Sequence, residues 1–498
     1  MRVLFIYPNL NAQIGFNYGI SYMSSVLKER GVETFLLNVN ERLGYSLDLS
    51  AIKKDVLRIR PDYVGISTTT NQYKYALKIA SDIKSYYDVP IIMGGIHPTM
   101  DPEGSLKEGV VDALCIGEGE EAMAELVDRG SPQGVRNMAY RKDDGVVIEP
   151  LRPFCDITRL PFKDYDIFDL QRMIDAKDGW VGLLTSRGCP FRCTYCLNHR
   201  IVSLYKSYGH LPKTYIRRHT VDQVVSEVLY LLENFKGIRM FIFDDDVFTF
   251  DKAWLREFSE KYREVTKVGF VCNAHVRMFD EEVASLLKEA GCKIVKFGLE
   301  SGSERVRREI LRRYMSNRRI QEAFSIAKRH GLHTSAFFMI GLPSETRQEM
   351  MDTIRLISKI EPGRFRISIF FPYKGTRAFD LAKTLNGIDE ERMEALDNFF
   401  DGTCLLFGRE ESLLIEKLKT FFCLYVNAQR DLPHNPYRTL FEEVESADEA
   451  KWEERKEEFL ARLKGIDEEV RHKEEFYTVR YERFMGVKNG WKDDDLSS

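Results

Sequence analysis

One short segment, Gly182 to Cys196, constrains this chain more than any other part of its sequence. It follows a short apolar run that predicts a buried strand, and Gly188 and Pro190 then turn the chain into a loop. The loop places three cysteines in a C-x3-C-x2-C spacing, namely Cys189, Cys193 and Cys196. Structural zinc sites and ordinary iron–sulfur sites use four protein ligands, so three thiolates leave one position open. The spacing therefore indicates a [4Fe–4S] cluster with one iron left for a small molecule.

An aromatic residue, Tyr195, stands directly before the last cysteine, and with it the loop resembles that of radical S-adenosylmethionine (SAM) enzymes. In that family the amino and carboxylate groups of SAM chelate the open iron, and an electron from the cluster cleaves SAM to a 5′-deoxyadenosyl radical. The resemblance implies that the three cysteines are the metal ligands and that Tyr195 lies near the adenine. The alternative is three cysteines buried singly as small core residues.

Length and charge limit the class of protein. A chain of 498 residues predicts two or three domains, and a net charge of −4 gives no electrostatic argument for binding nucleic acid. The nine cysteines are spread thinly apart from the triad, which favours a reducing compartment over a disulfide framework. The sequence contains no apolar run of 18 residues, so we expect a cytoplasmic protein without a transmembrane segment.

Residues 1–130 alternate between strand-like and helix-like segments. Helices are predicted over 19–30, 48–60 and up to Tyr87, and strands are predicted over 3–7, 32–38, 63–67, 89–93 and 113–116. This order favours an open parallel sheet of the doubly wound, Rossmann-like type, in which ligands bind outside the carboxyl ends of the strands.

The loops at those strand ends are rich in glycine, hydroxyl groups and backbone donors. Upstream of a radical SAM segment, they resemble the cobalamin-binding domain of class B radical SAM enzymes. The resemblance implies that the corrin and its nucleotide tail are lined by Ser67, Thr68, Thr69, Gly94, Gly95, His97, Thr99, Gly117, Glu118 and Glu120.

The Asp-x-His-x-x-Gly motif, whose histidine ligates cobalt in many such domains, is absent because residue 95 is Gly. His97 is therefore interpreted as a loop residue near the tail. The alternative is a domain of this fold that holds no corrinoid.

Residues 131–178 are predicted to be a linker that contains a hairpin over 137–148, with Asp144-Gly145 as its turn. From 179 to 385 the pattern of strand and helix repeats six times, which predicts a partial (β/α)6 barrel of the TIM type. Its strands are predicted over 180–184, 239–244, 268–273, 293–298, 335–340 and 365–371.

Polar clusters follow each predicted barrel strand, where a barrel active site is expected. The resemblance places Asp244 and Asp245 near the cluster and the SAM amino group, and Glu300 and Ser301 near the methionine part or ribose of SAM. It places the backbone around Gly341 near the adenine. Three residues at the same mouth are candidates for substrate contact, namely His275, Arg277 and Tyr373. The alternatives are strand-end caps and salt bridges for the acidic residues and a packing role for the histidine.

Residues 386–498 change in character and are predicted to form a C-terminal helical cap. The pattern predicts an apolar-faced helix over 413–424 and an amphipathic helix within 442–475, whose many charges form a solvated face. A cap over the barrel mouth would shape substrate choice.

Together these features favour a cobalamin-dependent radical SAM enzyme with three cofactors: a [4Fe–4S] cluster, SAM and cobalamin. The family chemistry implies a methyltransferase in which the 5′-deoxyadenosyl radical removes a hydrogen from an unactivated carbon, which then takes a methyl group from methylcobalamin. The runner-up is a cyclase or ring-rearranging enzyme, and the alternative from another class is a non-catalytic corrinoid-binding protein. The expected partners are a small-molecule substrate and an external electron donor such as flavodoxin or ferredoxin. The sequence identifies neither the substrate nor the catalytic residues.

Overall fold

The structure is a computed structural model that describes residues 1–143, 145–396, 400–481 and 483–491. Its contacts divide the chain into two compact units. The first comprises residues 1–189 and 197–239, and the second comprises residues 190–196 and 240–498. The predicted division at residues 130, 178 and 385 stays a prediction.

The first unit is built on a seven-stranded sheet in the order β2-β1-β3-β4-β5-β6-β7. The first five strands are parallel, and the last two add antiparallel at one edge. The strand order reverses between β1 and β3, which is the switch point where a doubly wound sheet opens a crevice. The elements of the sheet and its helices are β1 (Arg2–Pro8), α1 (Tyr18–Lys28), β2 (Glu33–Val39), α2 (Leu49–Ile59), β3 (Tyr63–Ser67), α3 (Tyr73–Tyr86), β4 (Ile91–Gly94), α4 (Ile96–Met100), α5 (Pro102–Lys107), β5 (Ala113–Cys115), α6 (Glu120–Arg129), β6 (Met138–Lys142) and β7 (Gly145–Ile148).

Local sequence accounts for these elements. The strands β1, β3 and β4 are continuous apolar runs because helices cover both faces of the sheet, and their central residues are fully buried. Asn17 begins α1 as its N-cap, because its side chain accepts the Ile20 N–H. The predicted doubly wound sheet and the hairpin β6–β7 are both confirmed. Asp144, the first residue of the predicted turn, lies outside the described residues.

The remainder of the first unit follows the hairpin along the chain. Its elements are α7 (Leu170–Ala176), β8 (Trp180–Leu183), β9 (Ser186–Arg187), α8 (Leu197–Ser207), β10 (Arg217–Arg218) and α9 (Val221–Asn234). A buried ion pair between Lys163 and Glu227 ties the segment before α7 to α9, with Nζ and Oε1 2.5 Å apart. Tyr165 donates its hydroxyl to the same carboxylate.

The second unit contains five consecutive parallel strands in the order β11-β12-β13-β14-β15. The strands and the helices between them are β11 (Met240–Phe243), α10 (Lys252–Val265), β12 (Gly269–Ala274), α11 (Glu281–Glu289), β13 (Cys292–Glu300), α12 (Asn317–Arg329), β14 (His333–Ile340), α13 (Arg347–Ile360) and β15 (Arg364–Ile369). Strand–helix alternation of this kind is that of a partial β/α barrel.

The C-terminal part of this unit is helical, as predicted, but it also holds two strands that the sequence did not predict. Its elements are α14 (Arg377–Leu385), α15 (Glu390–Ala395), α16 (Arg409–Ala428), α17 (Tyr437–Ser446), α18 (Glu449–Glu469), β16 (Tyr477–Val479) and β17 (Met485–Lys488). The last two form a hairpin that pairs antiparallel with β15. Gly486 permits this pairing, since a Cβ there would lie 2.5 Å from the Phe365 ring.

Within the described residues, no helix combines the length and apolar character needed to cross a membrane.

Candidate active site

A cavity of about 470 Å³ opens at the carboxyl ends of β1, β3, β4 and β5 in the first unit. It lies at the switch point of the sheet, where ligands of doubly wound folds bind. Eight of the ten predicted cobalamin contacts line it, namely Ser67, Thr68, Thr69, Gly94, Gly95, Gly117, Glu118 and Glu120. The same cavity is lined by Tyr7, Phe16, Asn17 and Arg187, which the sequence analysis did not single out.

Two glycines in the cavity allow its strand ends to approach closely. Gly95 has φ of +99°, and a Cβ there would lie 2.6 Å from the backbone oxygen of Thr68. At Gly117, with φ of +76°, a Cβ would collide with the hydroxyl of Tyr205. Small residues and backbone groups at this rim leave room for a large cofactor with an amide-rich periphery, so the residues present fit cobalamin.

Two carboxylates at the rim are held by arginines. Arg187 contacts Glu118 at 3.2 Å and Glu120 at 2.5 Å, while Arg217 contacts Glu118 at 2.8 Å. Burial would raise the pKa of Glu118, but Arg187 and Arg217 outweigh burial and hold that pKa below its usual range. Both carboxylates therefore serve first to fix Arg187 at the cavity wall.

His97 and Thr99 are buried beside the cavity but are not among its lining residues. The His97 ring stacks on Tyr73 with centroids 3.9 Å apart. Thr99 Oγ1 accepts the Gly117 N–H at 3.0 Å and donates to the Gly95 oxygen at 2.8 Å. Thr99 thus joins the loops that follow β4 and β5. Contact of His97 or Thr99 with the cofactor stays a prediction.

Residues 190–196 of the cysteine loop belong to the second unit, and hydrogen bonds of Thr194 hold them there. Thr194 donates its backbone N–H to Leu311 at 3.1 Å and its hydroxyl to the Ile310 oxygen at 2.6 Å. Its own carbonyl accepts the Ala378 N–H at 3.0 Å. These bonds fix the backbone on which Cys193 and Cys196 stand. Cys189 and Cys193 are buried, and Cys196 is half-buried.

Across the described chain, no three histidine, cysteine or acidic side chains converge closely enough to hold a single metal ion. A [4Fe–4S] cluster binds each cysteine through a separate iron, so its ligands stand farther apart than those of one ion. A donor set of three thiols fits such a cluster. The convergence of Cys189, Cys193 and Cys196 on one cluster stays a prediction.

Cys193 and three further side chains form one buried polar network. The Tyr195 hydroxyl donates to Glu300 Oε1 at 2.9 Å. Arg313 donates to Cys193 Sγ and to the Tyr195 oxygen, both at 3.3 Å, and also to the Gly298 carbonyl. The guanidinium therefore places a positive charge beside the Cys193 sulfur.

The backbone directs Glu300 into this network. The pairing of β13 with β14 shifts register between Gly298 and Glu300, and Glu300 has φ of +72°. A bulge and a left-handed non-glycine residue are costly and cluster at functional sites. A Cβ at Gly298 would collide with the Glu300 carboxylate, so glycine leaves room for that side chain to enter the network. Burial raises the pKa of Glu300, and Arg313 and Tyr195 oppose that rise.

The other predicted SAM contacts occupy different environments. Asp244 is exposed at the end of β11, whereas Asp245 is fully buried, with its carbonyl accepting the Asn273 amide. Ser301 is fully buried and donates to Glu345 at 3.4 Å. Gly341 has φ of +71° at the start of the loop after β14.

Glu345 organises that loop, because its carboxylate also accepts the Leu342 N–H at 3.1 Å. Burial raises the pKa of Glu345 to about 8. The sequence analysis missed this residue and Arg313, and nothing in the sequence separates Arg313 from the exposed Arg312 beside it.

The three predicted substrate residues also differ in exposure. His275 is buried and stacks on Phe191 of the cysteine loop, with ring centroids 3.8 Å apart, and burial lowers its pKa to about 2. Arg277 is exposed, and Tyr373 is half-buried with its pKa raised to about 12 by burial. Their contact with substrate stays a prediction.

Both parts of the chain match known protein families. Residues 183–357 match the Radical SAM superfamily, and residues 12–127 match the B12 binding domain. The chain is 31% identical to an uncharacterized methyltransferase of Pyrococcus horikoshii, over 77% of this chain and 83% of the relative. It is 27% identical to the cytidylyl-2-hydroxyethylphosphonate methyltransferase of Streptomyces wedmorensis, over 84% and 88% of the two chains. It is 26% identical to the anaerobic magnesium-protoporphyrin IX monomethyl ester cyclase of Rubrivivax gelatinosus, over 75% and 68%.

Two solved structures have the same fold. The cobalamin-dependent SAM radical enzyme OxsB matches with a TM-score of 0.65 and 16% identity, over 94% of this chain and 71% of the other. The radical SAM methyltransferase TsrM of Kitasatospora setae matches with a TM-score of 0.63 and 18% identity, over 77% and 76%.

The fold and the site define a radical enzyme with a cobalamin-binding domain. The chain belongs to the radical SAM superfamily, and its expected class of cobalamin-dependent radical SAM enzymes is confirmed. Its cofactors are accordingly a [4Fe–4S] cluster and SAM for the radical domain and cobalamin for the B12 binding domain.

Proposed function

We propose that this enzyme is a methyltransferase that acts on an unactivated carbon of a small molecule. The observation that carries the proposal is the likeness to two relatives named as methyltransferases, of which the chain covers 83% and 88%. The cofactors, when bound, supply a methyl donor and a hydrogen-abstracting radical, so the protein contributes position and exclusion of solvent.

In this proposal the second unit holds the cluster and SAM. Cys193, with Cys189 and Cys196, binds the cluster, while Arg313 keeps the Cys193 sulfur in a cationic environment. Glu300 accepts hydrogen bonds from the ammonium or ribose of SAM, because its second oxygen remains for a ligand when Tyr195 occupies the first. The buried network holds these groups before SAM arrives, which lowers the ordering cost of binding.

The first unit, in this proposal, holds the cobalamin tail in the cavity at its switch point. Ser67 and Thr69 offer hydroxyls at the rim, and Gly94 and Gly95 let the backbone approach the cofactor. Arg187 stands at the wall with Glu118 and Glu120 as its counter-charges.

The second candidate is a cyclase or ring-rearranging enzyme. The likeness to the Rubrivivax cyclase, at 26% identity over 68% of that protein, favours it. Among the three relatives described above, this cyclase has the lowest identity and the lowest coverage. Methyl transfer is therefore the better supported reaction.

Product analysis tests the proposal. The chain, reconstituted anaerobically with iron, sulfide and cobalamin, is given SAM, a one-electron reductant and a panel of small-molecule substrates. Paired S-adenosylhomocysteine and 5′-deoxyadenosine with a methylated product support methyl transfer. 5′-Deoxyadenosine alone, with a cyclised or rearranged product, supports the second candidate. Cys193→Ala is the matched control, because it removes one predicted cluster ligand.

A non-catalytic corrinoid-binding protein would give no SAM cleavage in fully loaded samples. We further infer an electron donor of the flavodoxin or ferredoxin type in a reducing, cytoplasmic compartment, since the cluster requires one-electron reduction. Replacement of the chemical reductant by purified flavodoxin or ferredoxin tests that part of the proposal.

A further inference from the structure

The strand register divides the cavity wall of the first unit into two layers. Ser67 on β3 is paired with Gly94 on β4, and this pair lies at the carboxyl ends of both strands. Two residues earlier on each strand, Gly65 is paired with Ile92, and Gly65 is also paired with Phe5 on β1. All five residues line the cavity. Residues two apart on a strand share a face, so the first pair forms an outer layer and the other three residues form an inner layer.

The inner layer is apolar. Phe5 and Ile92 are almost fully buried, and Gly65 adds no side chain, since a Cβ there would lie 3.0 Å from the Phe5 ring. Helices α1 and α6 begin at the cavity, and about one turn further along they contribute Met23 and Met123 to its lining. We call these five residues the inner pocket. It offers apolar contacts and thioethers, which pack favourably against aromatic rings, and no strong hydrogen-bonding side chain.

Polar side chains in and beside the outer layer have partners within the protein. Asn17 Nδ2 donates to Ser67 Oγ at 3.0 Å, and Thr69 Oγ1 donates to Asn71 Oδ1 at 2.7 Å. Tyr7 also lines the cavity, and its hydroxyl has no hydrogen-bond partner among the residues that the structure describes. A tyrosine hydroxyl can donate one hydrogen bond. The cavity therefore offers a bound molecule a hydroxyl donor at its outer layer and an apolar inner pocket.

The nucleotide tails of natural corrinoids end in different bases. Cobalamin carries 5,6-dimethylbenzimidazole, whereas pseudocobalamin carries adenine. Apart from the nitrogen bound to ribose, dimethylbenzimidazole has a single ring nitrogen and two methyl groups. Adenine has three such ring nitrogens and an amino group. The two bases are both flat and bicyclic, so they differ mainly in how many hydrogen bonds a buried site must supply.

We infer that the inner pocket selects the corrinoid by the base of its nucleotide tail and takes a benzimidazole-type base in preference to adenine. The inference rests on the proposed placement of the cobalamin tail in this cavity. Apolar contacts from Phe5, Ile92 and Met123 suit the methyl groups of dimethylbenzimidazole, and the Tyr7 hydroxyl suits its free ring nitrogen. Adenine would bury its amino group and its further ring nitrogens against side chains that offer them no strong hydrogen bond, which weakens binding.

The test compares the binding of two corrinoids and needs no turnover. The full chain, loaded with its cluster but not with corrinoid, is equilibrated with hydroxocobalamin or with the hydroxo form of pseudocobalamin. Ultrafiltration followed by visible absorbance gives the free and bound corrinoid. We expect cobalamin to bind about tenfold more tightly or better, because adenine leaves several buried polar groups unpaired.

Two variants test whether the inner pocket is responsible. Met123→Gln and Met23→Gln each place an amide in the inner pocket at nearly constant size, on α6 and α1 respectively. Each should reduce the preference for cobalamin to about threefold or less, because the amide can pair with adenine. Glu121→Gln is the matched control, since it places the same amide on the exposed side of α6 and should leave the preference unchanged. Thermal unfolding reports whether each variant is folded.

The inference is overturned if the wild type binds both corrinoids equally or binds pseudocobalamin more tightly. It is also overturned if folded Met123→Gln and Met23→Gln keep the full preference of the wild type. If these variants change the binding of neither corrinoid, the placement of the tail in this cavity fails as well. If they weaken both corrinoids alike, the placement stands and only the selection of the base fails. Absence of methyl transfer in the product assay leaves the binding result intact.

Discussion

Tyr195 and Glu300 meet through a hydrogen bond of 2.9 Å between the phenol hydroxyl and a carboxylate oxygen, although 105 residues separate them in the chain. Tyr195 stands between two cysteines of the triad, and Glu300 ends the strand β13. The bond therefore connects the predicted cluster loop to the predicted SAM carboxylate. Arg313 contacts the Tyr195 oxygen from the cysteine side and completes the network.

Tyr195→Phe should weaken SAM binding by roughly 3- to 10-fold, which corresponds to the loss of one ordinary hydrogen bond. The Phe ring keeps the packing but leaves the Glu300 oxygen without its donor, so the carboxylate is less well oriented. Equilibrium dialysis of SAM against the cluster-loaded protein measures the effect. Tyr314→Phe is the control, since Tyr314 is 59% exposed. Equal SAM affinity in wild type and Tyr195→Phe would show that Glu300 does not address SAM.

Arg313→Met should reduce both stability and cluster retention. Arg313 is buried, donates to Cys193, Tyr195 and the Gly298 carbonyl, and lies close enough to Glu300 to hold down the pKa of that carboxyl. Removing one partner of a buried charged network costs on the order of 3 kcal/mol, because the remaining charge is uncompensated. Chemical unfolding of the apo protein and iron content after reconstitution measure the two effects.

The neighbouring variant Arg312→Met provides the comparison, because Arg312 is exposed. It should change the free energy of unfolding by less than about 0.5 kcal/mol. Similar unfolding curves for the two variants would contradict the role assigned to Arg313.

Most of the fold follows from the sequence because its strands are apolar and regularly spaced between helical segments. The predicted strand over 63–67 matches β3, and the predicted helix over 48–60 differs from α2 by one residue at each end. In both segments the hydrophobic period and the flanking turn residues agree, so local preference and packing select the same structure. The strands β16 and β17 were not predicted, because their hairpin is stabilised by the pairing of β17 with β15, which is distant in sequence.

The candidate site is predictable only in part, and the reason is geometric. A strand end identifies Glu300, but its left-handed backbone and the adjacent bulge depend on tertiary pairing that no local pattern encodes. Similarly, Lys296 and Arg364 lie 68 positions apart, and only the strand register places both opposite Ser335 in one row of the sheet. The sequence thus locates residues at the barrel mouth, whereas the register decides which of them share the lumen.

Gly95→Ala should impair cobalamin retention. The new Cβ would lie 2.6 Å from the Thr68 oxygen and 2.9 Å from its nitrogen, so the ends of β3 and β4 must separate at the cavity rim. Gly130→Ala is a matched control, because Gly130 also has positive φ, +73°, but a Cβ there meets nothing within 4 Å. Gly130→Ala should lose about 1 kcal/mol of stability from backbone strain, and Gly95→Ala should lose more because its Cβ also collides with the Thr68 backbone.

Only Gly95→Ala should lose bound corrinoid, which the visible absorbance of the desalted protein measures. Equal corrinoid content in the two variants would indicate that the cofactor does not use this cavity.

Stability should fall as the pH drops from about 6.5 to about 4, in part because of His219. Its Nε2 lies 2.9 Å from the Tyr22 hydroxyl, and burial, with the nearby charge of Lys163, lowers its pKa to about 4. In the unfolded chain His219 therefore binds a proton below about pH 6.5, whereas in the folded chain it binds that proton only below about pH 4. The neutral ring stabilises the fold fully above pH 6.5, and up to about 3 kcal/mol of that contribution is lost as pH falls through this range.

His219→Gln removes this titration while keeping a polar group near Tyr22. The difference in free energy of unfolding between wild type and His219→Gln, followed by urea denaturation at steps from pH 7 to pH 4, should shrink by up to about 3 kcal/mol as pH falls. His434→Gln is the control, since it makes the same replacement at a histidine that is exposed. A difference that stays constant across the range would mean that His219 has an ordinary pKa in the folded protein. Buried histidine would then contribute nothing to the acid sensitivity of this part of the fold, because the proton uptake on unfolding that links pH to stability would be missing.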